Sequence, residues 1–159
     1  MQLSNQIAKH FREVYFGGNW TCSNLKDQLK DVTWKQATQK IYSLNTIATL
    51  SYHIHYFVQA VLKVLQGGIL DSKDSYSFDH PPIQSQEDWD KFLNTLWDEA
   101  RLFAELIEQI PDEKLWEYFE QEKYGIYYRN LHGIIEHSHY HLGQIAVIKK
   151  ILSEQTIVF

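Results

Sequence analysis

The sequence has few of the residues that form disulfides or break helices. Among 159 residues there are three prolines and a single cysteine, Cys22. One cysteine excludes an internal disulfide and a cysteine-cluster metal site, and so few prolines allow long helices over most of the chain. No stretch approaches the ~18 consecutive apolar residues of a membrane span, and the opening "MQLSNQIAKHFREVYF" lacks the apolar core of a signal peptide. These absences predict a cytoplasmic protein without a membrane partner.

The chain also lacks an excess of positive charge. Its formal net charge is −5, and lysines and arginines form no stripe. Nucleic-acid-binding proteins usually carry a clustered basic surface, so we expect no nucleic-acid partner. Apolar residues make up 44 % of the chain, which at this length is enough to bury the core of one domain. We therefore predict a single domain over residues 1–159.

Apolar residues recur at helical spacing in four segments of the chain. Paired glycines follow the first two segments and a proline follows the third, as is typical of helix ends. Ser85 is placed to cap the third segment. No segment shows the alternation of a strand, so the sequence predicts an all-α four-helix bundle. The four segments are Leu3–Phe16, Thr38–Leu65, Ser85–Ile110 and Tyr127–Leu152.

Two long connections complete the predicted bundle. Residues 20–40 are polar, and we expect a loop there with a short helical turn. The stretch "GGILDSKDSYSFDHPPIQ" joins the second and third helices and is as long as irregular connections get in a compact domain. A crossover of this length allows the helices on either side to run parallel. It could cover a site as a lid, but we interpret it as a connection only.

The fourth predicted helix contains "EHSHYHLGQI", with histidines at alternating positions. Each residue of an α-helix turns about 100°, so side chains four positions apart lie within about 40° of each other. His137 and His141 therefore share a face with the apolar residues of the helix and should point into the core. His139 lies about 160° away, on a more polar flank. Two of the three histidines are thus predicted to act together.

The second predicted helix contains "SYHIHYF", and the same geometry separates its two histidines. His53 lies on an apolar stripe with Leu50 and Phe57, so it should face the core. His55 lies about 160° away, beside Ser51. We expect His55 to reach solvent or the rim of the bundle, and it is the one competitor of His53 for a place in a site.

Three inward-facing imidazoles need partners, since a buried polar group without one costs about 1–3 kcal/mol. Separate hydrogen bonds could satisfy each of them. A shared divalent metal would satisfy all three at once, and an i, i+4 histidine pair with a third ligand from another element occurs in zinc sites. Three neutral nitrogens leave coordination positions open for water or substrate, as in catalytic sites. Neutral imidazoles accept zinc, nickel, copper and iron alike.

The histidine-containing stretches resemble two helices of the DinB-like superfamily. In that superfamily's last helix two histidines four positions apart precede a small-Gln-aliphatic run, here His137 and His141 with "LGQI". The stretch "ATLSYHIHYFVQAVLKVLQGG" is similar to its second helix, whose histidine-aliphatic pair matches His53 and Ile54. The resemblance extends over most of the chain, including the long crossover.

The resemblance implies an up-down-down-up arrangement of the four helices and a metal site formed by His53, His137 and His141. Zinc or nickel is the implied ion, and a homodimer is the implied assembly. Characterised members transfer bacillithiol, mycothiol or related thiols, or isomerise maleylpyruvate with mycothiol. A low-molecular-weight thiol is therefore the implied co-substrate, and a small electrophile such as an alkyl or aryl halide or an epoxide is its acceptor.

Several neighbouring residues and two other functions stay open at this point. Glu136 adjoins the triad but points off the ligand face, whereas Gln144 could orient a ligand or water, or simply pack. Tyr52, Tyr56 and Tyr140 could line a pocket. The same metal could instead activate water for hydrolysis of a small ester or amide, although the sequence identifies no general base. It could also hold two helices together without catalysis.

Overall fold

Four long helices dominate the fold. A computed structural model describes residues 2–156 of the chain, apart from the side chains of residues 155 and 156. Within that range there are six α-helices and no strand, which confirms the all-α prediction. Residue 1 and residues 157–159, the ends of the predicted domain, lie outside it. The helices are α1 (Leu3–Phe16), α2 (Leu25–Leu29), α3 (Trp34–Thr38), α4 (Ile47–Leu65), α5 (Gln86–Glu108) and α6 (Tyr127–Thr156).

The helix α4 begins later than its apolar spacing predicted. It starts at Ile47 rather than near Thr38. The Thr46 hydroxyl caps it by accepting a hydrogen bond from the amide of Thr49, and residues 39–46 are turns and irregular backbone. The preceding segment also differs from expectation, because it contains the two short helices α2 and α3 where one helical turn was predicted. The other three long helices begin and end within a few residues of their predicted positions.

The four long helices pack around a shared core. The helices α1 and α4 each contact both α5 and α6, and buried apolar side chains from all four form one cluster. The ring of Phe11 on α1, for example, lies 4.7 Å from the ring of Phe103 on α5. The helix α6 contacts both α1 and α4. The face with His137 and His141 and the face with His139 therefore pack against different helices. Among the helices of residues 2–156, none combines the length and the apolar content needed to cross a membrane.

The N-terminus of α1 is capped by a residue from a distant part of the chain. The residue before the helix, Gln2, makes no side-chain cap. Instead Asp112, in the 3₁₀ turn that follows α5, accepts hydrogen bonds from the amides of Leu3 at 3.0 Å and Ser4 at 3.1 Å. These hydrogen bonds hold the pKa of the Asp112 carboxyl below its usual value. The contact joins the end of α5 to the start of α1.

This capping contact makes the stability of the fold depend on pH. Because the folded-state pKa of Asp112 is depressed, its carboxylate stabilises the fold at pH values above the unfolded-state pKa of about 3.9. That contribution is lost as the pH falls through the folded-state value. We therefore expect Asp112→Ala to lower the melting temperature at pH 7 and to have a much smaller effect toward pH 2. Thermal melts of both variants at the two pH values measure this, with Glu113→Ala, an exposed neighbour, as the control.

Candidate metal centre

Three histidines from α4 and α6 meet between the two helices. The side chains are His53 on α4 and His137 and His141 on α6, and each offers a nitrogen within 4.8 Å of the other two. The Nε2 atom of His137 lies 2.9 Å from Nε2 of His53 and 3.1 Å from Nε2 of His141. His53 and His141 are buried, and His137 is half-buried. The convergence predicted from helical faces is therefore present, and the three nitrogens could hold a metal ion.

The rotation of α6 about its axis places its histidine pair against α4. His137 and His141 are one turn apart, so both project from the same face. Apolar residues above and below them on that face are buried in the core and fix which side of the helix turns inward. The remaining histidines of this helix face the other way, with the ring of His139 5.9 Å from that of His10 on α1. The buried residues of the inner stripe are Ile134, Ile145, Ile148 and Leu152.

A serine from the crossover orients the His53 ring. The Ser77 hydroxyl donates a hydrogen bond to the carbonyl of Asp74 at 2.7 Å, so its oxygen is left to accept from Nδ1 of His53 at 2.9 Å. A neutral His53 then carries its proton on Nδ1. The lone pair of Nε2 consequently points toward the other two histidines, as a ligand nitrogen should.

A glutamine on α6 orients the His141 ring in the same way. The Nδ1 atom of His141 lies 2.7 Å from Oε1 of Gln144. An amide oxygen only accepts hydrogen bonds, so Nδ1 carries the proton and Nε2 presents its lone pair. Two lone pairs therefore converge on Nε2 of His137, which can supply one proton for both at most. This donor set, with two of its three outer nitrogens fixed by hydrogen bonds, fits a zinc-like divalent ion.

Burial keeps the three imidazoles in the neutral form that binds metals. Removal from water, together with the neighbouring His141 and His53, lowers the pKa of His137 to about 4. Burial also lowers the pKa of His53, again with His141 contributing, and that of His141. The negative charge of Asp74 acts in the opposite direction on both His53 and His137. At neutral pH the Nε2 lone pairs of His53 and His141 are thus available without displacing a proton.

The crossover over residues 66–85 is more than the connection we expected. The ring of Phe78 stacks on His53 with centroids 3.9 Å apart, and Ser77 is fully buried beneath it. The hydroxyl of Tyr56 anchors the segment, because it donates to the carbonyl of Lys73 at 3.0 Å and accepts from the amide of the same residue at 2.8 Å. The crossover therefore covers one side of the triad and supplies one of its hydrogen bonds.

His55 lies elsewhere, and the expectation that it would reach solvent was wrong. Only 3 % of its surface is exposed, and its Nε2 lies 3.1 Å from Oε2 of Glu99 on α5. This close contact with His55 is the main reason that the pKa of the Glu99 carboxyl is lowered. The physical cause is that α5 packs against this face of α4 and brings a carboxylate with it. The structure thus brings His53, and not His55, to the α6 pair.

The other residues that the sequence placed near the site differ in their contact with the triad. Glu136 is exposed and makes none of the hydrogen bonds to the triad within residues 2–156. Gln144 makes the contact with His141 described above, and the ring of Tyr140 lies 4.8 Å from the ring of the same histidine while remaining largely exposed. Tyr52 lines a separate cavity beside His55.

Comparison of the chain with protein-family models, with curated proteins and with solved structures finds no match. The resemblance to the DinB-like superfamily therefore depends on the two sequence motifs alone. The candidate metal centre, in contrast, also has support from the geometry of the side chains.

Metal content is the direct measurement for this site. Protein purified without a nickel column should contain about one divalent ion per chain by elemental analysis, since one triad offers one site. His53→Ala and His141→Ala should each lose the ion, because two imidazoles leave coordination incomplete. His139→Ala, on the opposite face of α6, is the matched control and should keep it. Stoichiometric metal in both triad variants would contradict the assignment.

The hydrogen bond from His53 to Ser77 gives a second prediction. Removing the hydroxyl by Ser77→Ala frees the His53 ring to rotate and to change tautomer, so metal affinity should fall about 10–100-fold. Competition with a chelator of known affinity measures the change. Ser75→Ala, an exposed serine in the same 3₁₀ turn, is the control and should bind as the wild type does. Equal affinities for the two variants would mean that Ser77 does not orient the ligand.

Proposed function

We propose that this protein is a divalent-metal-dependent enzyme that joins a low-molecular-weight thiol to a small electrophile. The observation that supports the proposal is the convergence of three neutral imidazole nitrogens from α4 and α6, two of them oriented by Ser77 and Gln144. Three nitrogen ligands leave coordination positions for a substrate, unlike a closed structural site. The triad would consist of His53, His137 and His141.

We further propose that the chain is a four-helix bundle of the DinB-like type, with an up-down-down-up order of helices. The contacts of α1 and α4 with both α5 and α6 support a bundle, and the crossover over residues 66–85 is long enough to let α4 and α5 run in the same direction. A homodimer belongs to the same proposal. Size-exclusion chromatography with light scattering tests that assembly.

The proposed reaction converts a thiol and an organic halide into a thioether, a proton and a halide ion. The carbon–sulfur bond forms as the carbon–halogen bond breaks, and the halide leaves with the bonding electrons. A divalent ion in the triad would supply the positive charge that favours the thiolate over the thiol at neutral pH. The released proton needs an acceptor. Asp74 is a candidate for this role, because its Oδ1 lies 3.5 Å from the Ser77 hydroxyl that contacts His53.

The protein itself contributes orientation and exclusion of water in this proposal. The ring of Phe57 contacts His137 edge-on at 5.0 Å and His53 at 5.1 Å, while Phe78 covers the outer face of His53. These apolar surfaces lower the local dielectric constant, which strengthens electrostatic interactions at the centre. Two of the imidazoles, His53 and His141, are held in the tautomer that directs the Nε2 lone pair to the centre.

Thiol-dependent consumption of a model electrophile tests the proposed function. Metal-loaded wild-type protein should accelerate loss of monochlorobimane when a panel of low-molecular-weight thiols is supplied one at a time. His137→Ala should lose this acceleration, and His139→Ala should retain it. Chelation should abolish the rate, and adding zinc or nickel back should restore it.

The same protein samples distinguish thiol transfer from metal-dependent hydrolysis and from a purely structural metal. Cleavage of p-nitrophenyl esters without any thiol, lost in His137→Ala, would replace thiol transfer by metal-dependent hydrolysis. Absence of both activities, together with a large fall in melting temperature on chelation, would instead indicate a metal that only holds α4 and α6 together.

A further inference from the structure

A groove beside His137 is large enough to hold a small molecule. Its volume is about 370 Å³, and it lies between α4, α6, the crossover that follows α4 and the connection that precedes α6. Aromatic and aliphatic side chains form its walls, so an apolar body would be stabilised there by removal from water. The floor is one face of α6. The wall residues include Phe57, Leu70, Phe119 and Tyr124.

The floor of the groove runs from a cation to the candidate metal centre. Arg129, Gly133 and His137 are spaced four positions apart on α6, so they lie along one face of the helix. The first and the last are about 12 Å apart along the helix axis at 1.5 Å per residue. Between them the floor is open, because a Cβ atom added to Gly133 would meet no heavy atom within 4 Å.

Arg129 is available for a ligand. The chain contains three arginines, and two of them form ion pairs, Arg12 with Glu108 and Arg101 with Asp98. Within residues 2–156 no carboxylate lies within ion-pair distance of Arg129. Since the chain carries a net negative charge, an arginine that lines a groove without an acidic partner suits recognition of an anionic group.

We propose that this groove binds a small molecule with an apolar body and a terminal carboxylate, with the carboxylate at Arg129 and the opposite end at His137. The inference depends on the proposed function only for what reacts at the His137 end. Arg129 would form charge-assisted hydrogen bonds with the carboxylate, and the aromatic walls would pack against the body. Gly133 sets the depth of the groove, because any larger residue would project into the ligand.

Binding to protein stripped with EDTA tests the groove without the metal. The probe is 6-phenylhexanoate, and 6-phenylhexan-1-ol is its neutral counterpart, both followed by ligand-observed NMR titration. Arg129→Gln should bind the carboxylate about tenfold more weakly and the alcohol as the wild type does. Gly133→Leu should lose both probes while remaining folded, because glycine is the poorer helix former. Gly143→Leu fills another open position on α6 and should bind both.

Three results would overturn the inference. They are no binding of 6-phenylhexanoate to wild type, equal binding to wild type and Arg129→Gln, or binding that survives Gly133→Leu. Arg129→Gln alters an exposed side chain, so it keeps the test decisive should Gly133→Leu fail to fold by circular dichroism.

A second arm uses cobalt-loaded protein and 6-mercaptohexanoate, whose thiolate gives a charge-transfer band when it binds the ion. Arg129→Gln should raise the concentration at which the band appears by a similar factor. No band, with 6-phenylhexanoate binding intact, would remove the proposed metal chemistry and leave the groove assignment in place.

Discussion

The packing of α4 and α6 requires a partner for three imidazoles, because the apolar faces of these helices direct the three rings into the core. His53, His137 and His141 present nitrogen atoms to one another at distances of 2.9 and 3.1 Å, and the outer nitrogens of two of them are already committed to Ser77 and Gln144. The inner atoms then hold more lone pairs than protons. Buried acceptors that face each other are unfavourable unless a cation or a proton lies between them. Helix packing brings the three rings together, and their chemistry then requires a cation or a proton between them.

The helix α4 shows how neighbours decide what a histidine does. His53 and His55 are two residues apart and both are buried, yet one faces α6 and the other faces α5. His53 meets other imidazoles and a hydroxyl, which suit a neutral ring with a free lone pair. His55 meets the carboxylate of Glu99, which suits a ring that donates a proton. The same residue type thus enters two different environments, because two side chains separated by two positions on a helix point about 160° apart.

Helical periodicity was enough to predict the faces of α4 and α6, and with them the three histidines of the centre. It could not predict Ser77, because the crossover is irregular and no period links a residue there to His53. Nor could it predict the burial of His55, which depends on how α5 is rotated against α4 and on the position of Glu99. The late start of α4 was missed because apolar spacing continues through residues 39–46, where the Thr46 cap rather than the pattern sets the boundary.

The crossover is anchored to α4 at its middle, whereas the flank before residue 73 is held by an exposed hydrogen bond from the amide of Leu70 to the Glu120 carboxylate at 3.0 Å. Tyr56 holds Lys73 through two hydrogen bonds and His53 holds Ser77, so residues 73–77 are attached at both ends to a single rigid helix. A residue added or removed within that interval would pull one attachment out of reach, whereas the flanks could absorb the change. Over evolutionary time, length variation in this loop should accumulate before residue 73 and after residue 78, with the interval between them conserved in length.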